Sequence, residues 1–419
     1  MQFLLLLKQT KDSTDSQVAL DFGNSTSLVD LGSYKDAIFQ HDDSNMLKWQ
    51  LSWKLGRTLN INDPARTRPV KLFTDDSITI QVEVVANGRQ VEIQSLAYDF
   101  DKSNFYIYRK PGKLKYQLDT FNTDYRFIRT LGRAWDLPEP TKAYSFPDQA
   151  QTYFQNAQFL RNFETSYVEQ MDKIVYLGPL REDPRRQYTW SGSNPSDVGT
   201  RGERTIEAIL AAGERGEKRN IRWRQRLLSF QEIIGWWLKE LGLINSFEVR
   251  EVSDGSGLYR VYVKRNIDSS ETLITDVGFG VSQILPVLTL LYYAPEGSTI
   301  LIEQPEIHLH PAVQAGLADL FISVSRVRNI QLIVESHSEH LLNRLLRRVA
   351  EQSSSYGEIS KDHVGVYFAT NSGGKSLLEP LKLNDSGIIE NWPKDFFGDQ
   401  MGEIAARERA ALKRRLSSI

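Results

Sequence analysis

The chain has 419 residues, 40% of them hydrophobic and 25% charged, enough for a large core divided among two or three connected lobes. With no cysteine it excludes a disulfide scaffold or a thiolate metal site and fits a cytoplasmic protein. A net charge of −2 excludes attraction of the whole surface to nucleic acid, and no apolar run reaches the roughly 18 residues of a membrane span.

From Met1 an apolar-rich helical pattern runs at once over Gln2–Lys11, with no strand, cap or turn before it. Between Leu47 and Leu118 the pattern becomes alternating. Leu47–Trp53, Ile78–Val85, Val91–Gln94, Phe105–Tyr108 and Leu114–Leu118 read as antiparallel strands with one wet face, turned at Asn87-Gly88 and around Pro111-Gly112. Helical sequence over Pro147–Lys173 leads into the apolar strand Ile174–Leu177, which stops at Gly178-Pro179, and Ser191–Gly202 is a loop by composition. Arg204–Ala212 and Asn220–Leu241 read as helices, with strands near Glu248 and over Leu258–Val263. Beyond Gly357 come a hairpin and a basic helical tail, Gly402–Leu416.

The residues that carry chemistry lie between 276 and 340. Ile300–Glu303 is an apolar strand ending in a carboxylate, and Gln331–Glu335 is a second one that runs into Ser336-His337-Ser338. In an open α/β sheet, ligands bind beyond the carboxyl ends of such strands. A helix over Val313–Val324 makes this a right-handed crossover between adjacent parallel strands. Ahead of it, Asp276-Val-Gly-Phe-Gly-Val-Ser-Gln283 opens a helix expected over Ile284–Tyr293, where glycines let backbone N–H groups approach an anion; the plain alternative is a helix-entry loop. Ser336 and Glu339 have capping-box spacing, followed by a buried stripe of Leu341, Leu342, Leu345, Leu346 and Val349.

This order of motifs resembles ABC-type ATPases of the branch that contains the SMC and OLD proteins. The resemblance implies that Glu303 is the Walker B acid that holds Mg²⁺ and that His337 senses the γ-phosphate. It implies that Gly278, Gly280, Ser282 and Gln283 form the signature segment contacting nucleotide on the opposite protomer, and that His308–Pro311, including His310, is the D-loop. Two positions depart from the pattern. The usual signature serine falls at Gly278, leaving Ser282 as the alternative hydroxyl. The glutamate that should follow the magnesium acid is Gln304, which can orient a water but cannot accept its proton, so Glu306 is the available substitute.

Two other readings compete for these residues. Ala369-Thr-Asn-Ser-Gly-Gly-Lys375-Ser376 satisfies a loose P-loop pattern, but Pro380 and the alternation of Leu377–Leu383 predict a hairpin instead. His308, His310, His337 and His340 offer H-x-H and H-x-x-H spacings suited to zinc; the strand-end placement and motif order favour nucleotide.

Tyr176–Tyr188, Asp197–Glu203, the 276–340 block and Ile388–Phe397 together resemble prokaryotic AAA15/AAA21-type ATPases with a C-terminal DUF3696 domain. The resemblance implies an α/β fold: an ABC-type P-loop NTPase-like core, a mixed sheet flanked by helices, with an antiparallel β subdomain and a helical insertion. The expected divisions are 1–145, 146–265, 266–357 and 358–419. In that family the Walker A loop leads into a helix like Gln2–Thr10, and Leu28–Asp36 resembles the Q-loop-like region after it, so the first strand and Walker A loop are expected to be missing. ATP and Mg²⁺ are the implied cofactors, held poorly without that loop. The implied role is a nucleotide-dependent switch in a prokaryotic defence system, acting as a homodimer or higher oligomer with a separate effector such as a nuclease, away from membranes. The alternative is a non-hydrolysing scaffold for a protein or nucleic acid. Arg215, Lys218, Arg219, Arg222, Arg224 and Arg226, with Arg407, Lys413, Arg414 and Arg415, are candidates for nucleic-acid phosphate contacts. The competing reading is a solvated helix face balanced by Glu214, Glu217 and Glu408.

Overall fold

A computed structural model describes residues 1–15, 17–62, 70–88, 90–112, 115–132, 136–221, 226–393, 406–407, 409–410 and 414. These residues divide into two compact units, Met1–Ile174 and Val175–Ile419.

In the first unit the alternating sequence forms a five-stranded antiparallel meander: Leu47–Asn62, Lys71–Asn87, Gln90–Phe100, Ser103–Arg109 and Tyr116–Phe121, neighbours in sequence being neighbours in the sheet. Ile78, Ile80, Val82 and Val84 share one face and are fully buried, as a two-residue period requires. Phe105 meets Phe73 and Phe159 at 5.1 Å and Phe163 at 5.7 Å, an aromatic core beneath the sheet. The helix Gln2–Asp12 buries Leu5, Leu6 and Leu7, and its Lys8 donates to the Met171 carbonyl at 3.2 Å. The helix expected over Pro147–Lys173 is two helices, Gln149–Tyr153 and Leu160–Asp172. The break is held by Asn156, whose side chain accepts from Ile128 N–H at 2.8 Å and donates to the Arg126 carbonyl at 2.9 Å.

The second unit is built on a three-stranded sheet in the order Gln331–Glu335, Thr299–Glu303, Ile174–Leu177. The first two are adjacent and parallel, with Glu303 opposite Glu335, and the helix Pro311–Arg328 forms the crossover between them. Ile300, Leu301 and Ile302 have no exposed surface, which explains the apolar run between Thr299 and the terminal acid. Phe279–Tyr293 is buried from Val281 onward and packs against the helices Thr205–Glu214 and Phe230–Glu240. A separate antiparallel sheet carries Ser246–Glu251, Leu258–Lys264 and Thr272–Leu273, with Tyr188–Thr189 paired to Leu258–Tyr259.

Three local expectations are corrected. Of the helix expected over Asn220–Leu241, the described residues form one over Phe230–Glu240. Ser229 starts it, accepting from Glu232 N–H at 3.4 Å while Glu232 accepts from Ser229 N–H at 2.7 Å, and Lys218–Arg219 pairs instead with Leu228–Ser229 as strands. The helix expected from Ile284 begins at Phe279. Ser338, not Ser336, caps the helix Glu339–Glu351, accepting from Leu341 N–H at 3.1 Å.

The P-loop-like stretch is a hairpin, Val366–Ser372 paired with Lys375–Leu381, and Gly373 and Gly374 at φ 60° and 77° make its two-residue turn. Of the tail Gly402–Leu416, the described residues Ala406, Arg407, Arg409, Ala410 and Arg414 are helical; Lys413 and Arg415 lie outside the described residues, as do Leu114 and residues 394–397. Among the described residues no helix is long and apolar enough to cross a membrane.

Candidate functional site

The strand register brings Glu303 and Glu335 side by side at one end of the sheet. From the third strand, the Tyr176 hydroxyl donates to Glu303 Oε1 at 3.2 Å. Burial, with Glu303 beside it, pushes the Tyr176 hydroxyl well above its ordinary pKa, which keeps it a donor. Arg181, only 6% exposed, donates to the Gly178 carbonyl and, at 3.0 Å, to the Glu303 carbonyl. Burial lowers its pKa to about 10, opposed by Tyr176, Glu303 and Glu306, so it remains a cation at neutral pH.

Past Glu303 the chain turns sharply. Gln304 sits at φ 45°, in the left-handed region, and its N–H donates to the Glu335 carbonyl at 2.9 Å. Pro305 and the following turn fold Glu306 inward to 8% exposure. There its Oε1 accepts the His337 backbone N–H at 2.6 Å, while Oε2 is buried with no hydrogen-bond partner. The His337 ring is 78% exposed and its Nε2 lies 3.5 Å from Glu335 Oε1. Glu303, Gln304, Glu306 and His337 are therefore brought together, as the spacing of the motifs predicts.

The signature-like segment is arranged differently from its sequence reading. Gly278 is the N-cap of the helix, and Gly280, Ser282 and Gln283 lie within its first turns. Ser282 Oγ donates to the Phe279 carbonyl at 2.8 Å, and both Ser282 and Gln283 are buried. What this segment offers an anion is the backbone N–H groups of the first helical turn. Its start borders the turn at His308, whose ring lies 6.3 Å from that of Phe279. His310 caps Pro311–Arg328, its Nδ1 accepting from Ala312 N–H at 3.3 Å.

Among the described residues no group of three or more histidine, aspartate or glutamate side chains is placed to hold a metal ion, so the four histidines do not assemble a zinc set. A single carboxylate such as Glu303 fits Mg²⁺ in a different manner, with phosphate oxygens and water completing the shell. The basic arm is partly spent on structure. Arg219 donates to the Tyr292 carbonyl at 3.0 Å and to Glu217, and Arg215 pairs with Glu217 while lying over the Tyr293 ring at 5.4 Å. Arg226 is exposed; Arg222 and Arg224 lie outside the described residues.

Sequence reasoning overlooked Tyr176, Arg181 and Glu335 as site residues. The available signal was an arginine directly after an apolar strand and a Gly-Pro stop, since a buried cation requires anions or carbonyls around it.

Residues 214–342 match the family model of the AAA ATPase domain, AAA_15, and residues 359–406 match DUF3696, a family of unknown function. The chain carries an AAA ATPase domain of the AAA_15 family. That AAA ATPase domain includes Gly278–Gln283, Glu303, Gln304, Glu306, His310 and His337, while Tyr176 and Arg181 precede it. No curated protein matches the sequence. Solved structures similar to this chain include the SMC head domain from Thermotoga maritima, at 8% identity over 73% of this chain and 75% of that one, with a TM-score of 0.31. An SMC head bound to the C-terminal winged-helix domain of ScpA is 10% identical over 78% of each chain, TM-score 0.33. A structure from work on ATP-driven dimerization and DNA-stimulated activation of SMC ATPases is 15% identical over 36% of this chain and 83% of that one, TM-score 0.29.

Proposed function

We propose that the chain is a nucleotide-dependent switch whose strand-end site binds Mg²⁺ and ATP, with the nucleotide completed by a second copy. The observation that carries this reading is Glu306, a buried carboxylate fixed through one oxygen by the His337 N–H and free at the other, beside the strand-terminal Glu303. When bound, Mg²⁺·ATP supplies a polarised γ-phosphate. Glu303, oriented by the Tyr176 hydroxyl, would hold the cation. Gln304 can orient a water, and Glu306 Oε2 is the group able to take its proton. His337, exposed at the rim, would meet the γ-phosphate, and the first turn of Phe279–Tyr293 would present its N–H groups to the second copy's nucleotide. The switch reports to a separate effector protein of a prokaryotic defence system, such as a nuclease.

A second reading, a non-hydrolysing scaffold for a protein or nucleic-acid partner, is favoured by Gln304 in the position of the general base and by the hairpin geometry of the P-loop-like stretch. Equilibrium titration of a fluorescent ATP analogue with Mg²⁺ separates the two, because only the first requires nucleotide binding. Binding is expected to weaken about tenfold or more in Glu303→Gln, the scale set by losing one charged ligand. Equal affinity in both proteins would remove Glu303, and with it this site, from consideration.

A further inference from the structure

We propose that Arg181 is the positioning residue of the strand-end site, clamping the peptide between Glu303 and Gln304 so that the chain turns back and Glu306 faces inward. The proposal rests on the reading of Glu306 as the proton acceptor and adds to it a residue that precedes the matched AAA ATPase domain.

Gln304 occupies a left-handed conformation that non-glycine residues keep only where their surroundings over-determine it. Here both polar groups of the preceding peptide are held. The Glu303 carbonyl accepts from Arg181 Nη2 at 3.0 Å, and the Gln304 N–H donates to the Glu335 carbonyl at 2.9 Å. The other arm of the guanidinium holds the Gly178 carbonyl, tying the turn to the strand Ile174–Leu177. That anchor is itself fixed: Gly178 N–H donates to the Thr200 carbonyl at 2.8 Å and Glu182 N–H to the Arg201 carbonyl at 2.9 Å.

Downstream of the clamped turn, Glu306 accepts the His337 N–H at 2.6 Å, and the buried guanidinium attracts both Glu303 and Glu306. Arg328 in the same unit shows the purely structural alternative, a buried arginine on two carbonyls at a helix end. The carbonyl that Arg181 holds at Glu303 belongs instead to the residue from which the reacting groups depart. A lysine could not reach two carbonyls in fixed directions, because the rigid fork is a property of the guanidinium.

Residue-resolved amide hydrogen exchange on the full chain tests this. Arg181→Lys is expected to speed exchange at the Gln304 and His337 amides by about tenfold or more, with peptides 299–302 and 331–334 unchanged. Glu306→Ala should speed His337 alike, and the double variant should exchange at His337 no faster than Glu306→Ala alone, because Arg181 acts there through Glu306. Unchanged amides in Arg181→Lys, uniform loss across both strands, or additive effects would overturn the proposal. If Arg181→Lys does not fold, the same change is made together with Gln304→Gly, since glycine takes the left-handed turn without a clamp; a double variant that still fails to fold also overturns it. Adding ATP and Mg²⁺ to the unaltered chain reads the nucleotide assignment separately. No response at either amide counts against that assignment and leaves the result for Arg181 standing.

Discussion

Glu306 shows how much one buried carboxylate decides. Glu306→Ala leaves the part-buried His337 N–H without its acceptor and is expected to cost about 1 kcal/mol, whereas Glu306→Gln keeps an acceptor and costs a fraction of that. Urea denaturation of the two variants checks the difference. In the first unit, burial raises Glu164 to a pKa of about 7, opposed by the Phe146 N–H that it accepts at 2.8 Å. Its unfolded value lies near 4.5, so the unfolded chain releases this proton first as pH rises. The stabilisation is complete below about pH 4.5 and is lost through about pH 7, so Glu164→Gln is expected to gain stability relative to the unaltered chain over that interval. Thermal melts of both proteins from pH 5 to 8 read it, and a constant difference would refute the assignment. Glu303, Gln304, Glu306 and His337 were legible because they lie on one contiguous strand-turn-helix-strand motif. Tyr176 and Arg181 were not, because they reach Glu303 across separations of 127 and 122 positions, where no local pattern links them.

Among the elements, Phe279–Tyr293 depends on a distant cation at its end. Arg328 donates to the Leu291 carbonyl at 2.6 Å and the Ala294 carbonyl at 2.7 Å, satisfying acceptors that the helix leaves open. Arg328→Leu fills comparable volume but strands those buried carbonyls, and a loss of about 2–4 kcal/mol is expected in chemical denaturation. A neutral result would mean that water replaces the guanidinium there. The helices Pro311–Arg328 and Glu339–Glu351 are clasped in a related way, with the buried Asp319 accepting at 2.6 Å from both Arg344 and Arg348. Element reading succeeded where sequence and structure share a period, as in the meander and the Gly373-Gly374 hairpin. It failed over Asn220–Leu241, where the arginines and tryptophans suit a helix but the Ser229–Glu232 cap sets a later start. It also failed at Phe279, where Gly280, read as loop, lies in a half-exposed first turn that the buried run from Val281 onward carries with it.

For the whole molecule, the 419-residue chain is expected to hydrolyse ATP far below ordinary ABC-type rates. Gln304, which follows Glu303, cannot accept a proton from water, and the Gly-Lys-Ser stretch is a hairpin tip. A steady-state phosphate-release assay showing ordinary turnover that depends on Glu303 would overturn this. The two units also differ in how far along the chain their strands must travel to pair. The meander pairs each strand with the next one in sequence, so its contacts close quickly with little loss of chain entropy. The strand-end site closes only when the segment bearing Tyr176 meets Glu303, 127 positions on. A chain emerging during synthesis can therefore complete its meander well before the carboxylates acquire their partners, and the chemistry-bearing corner is among the last parts of this protein to become native.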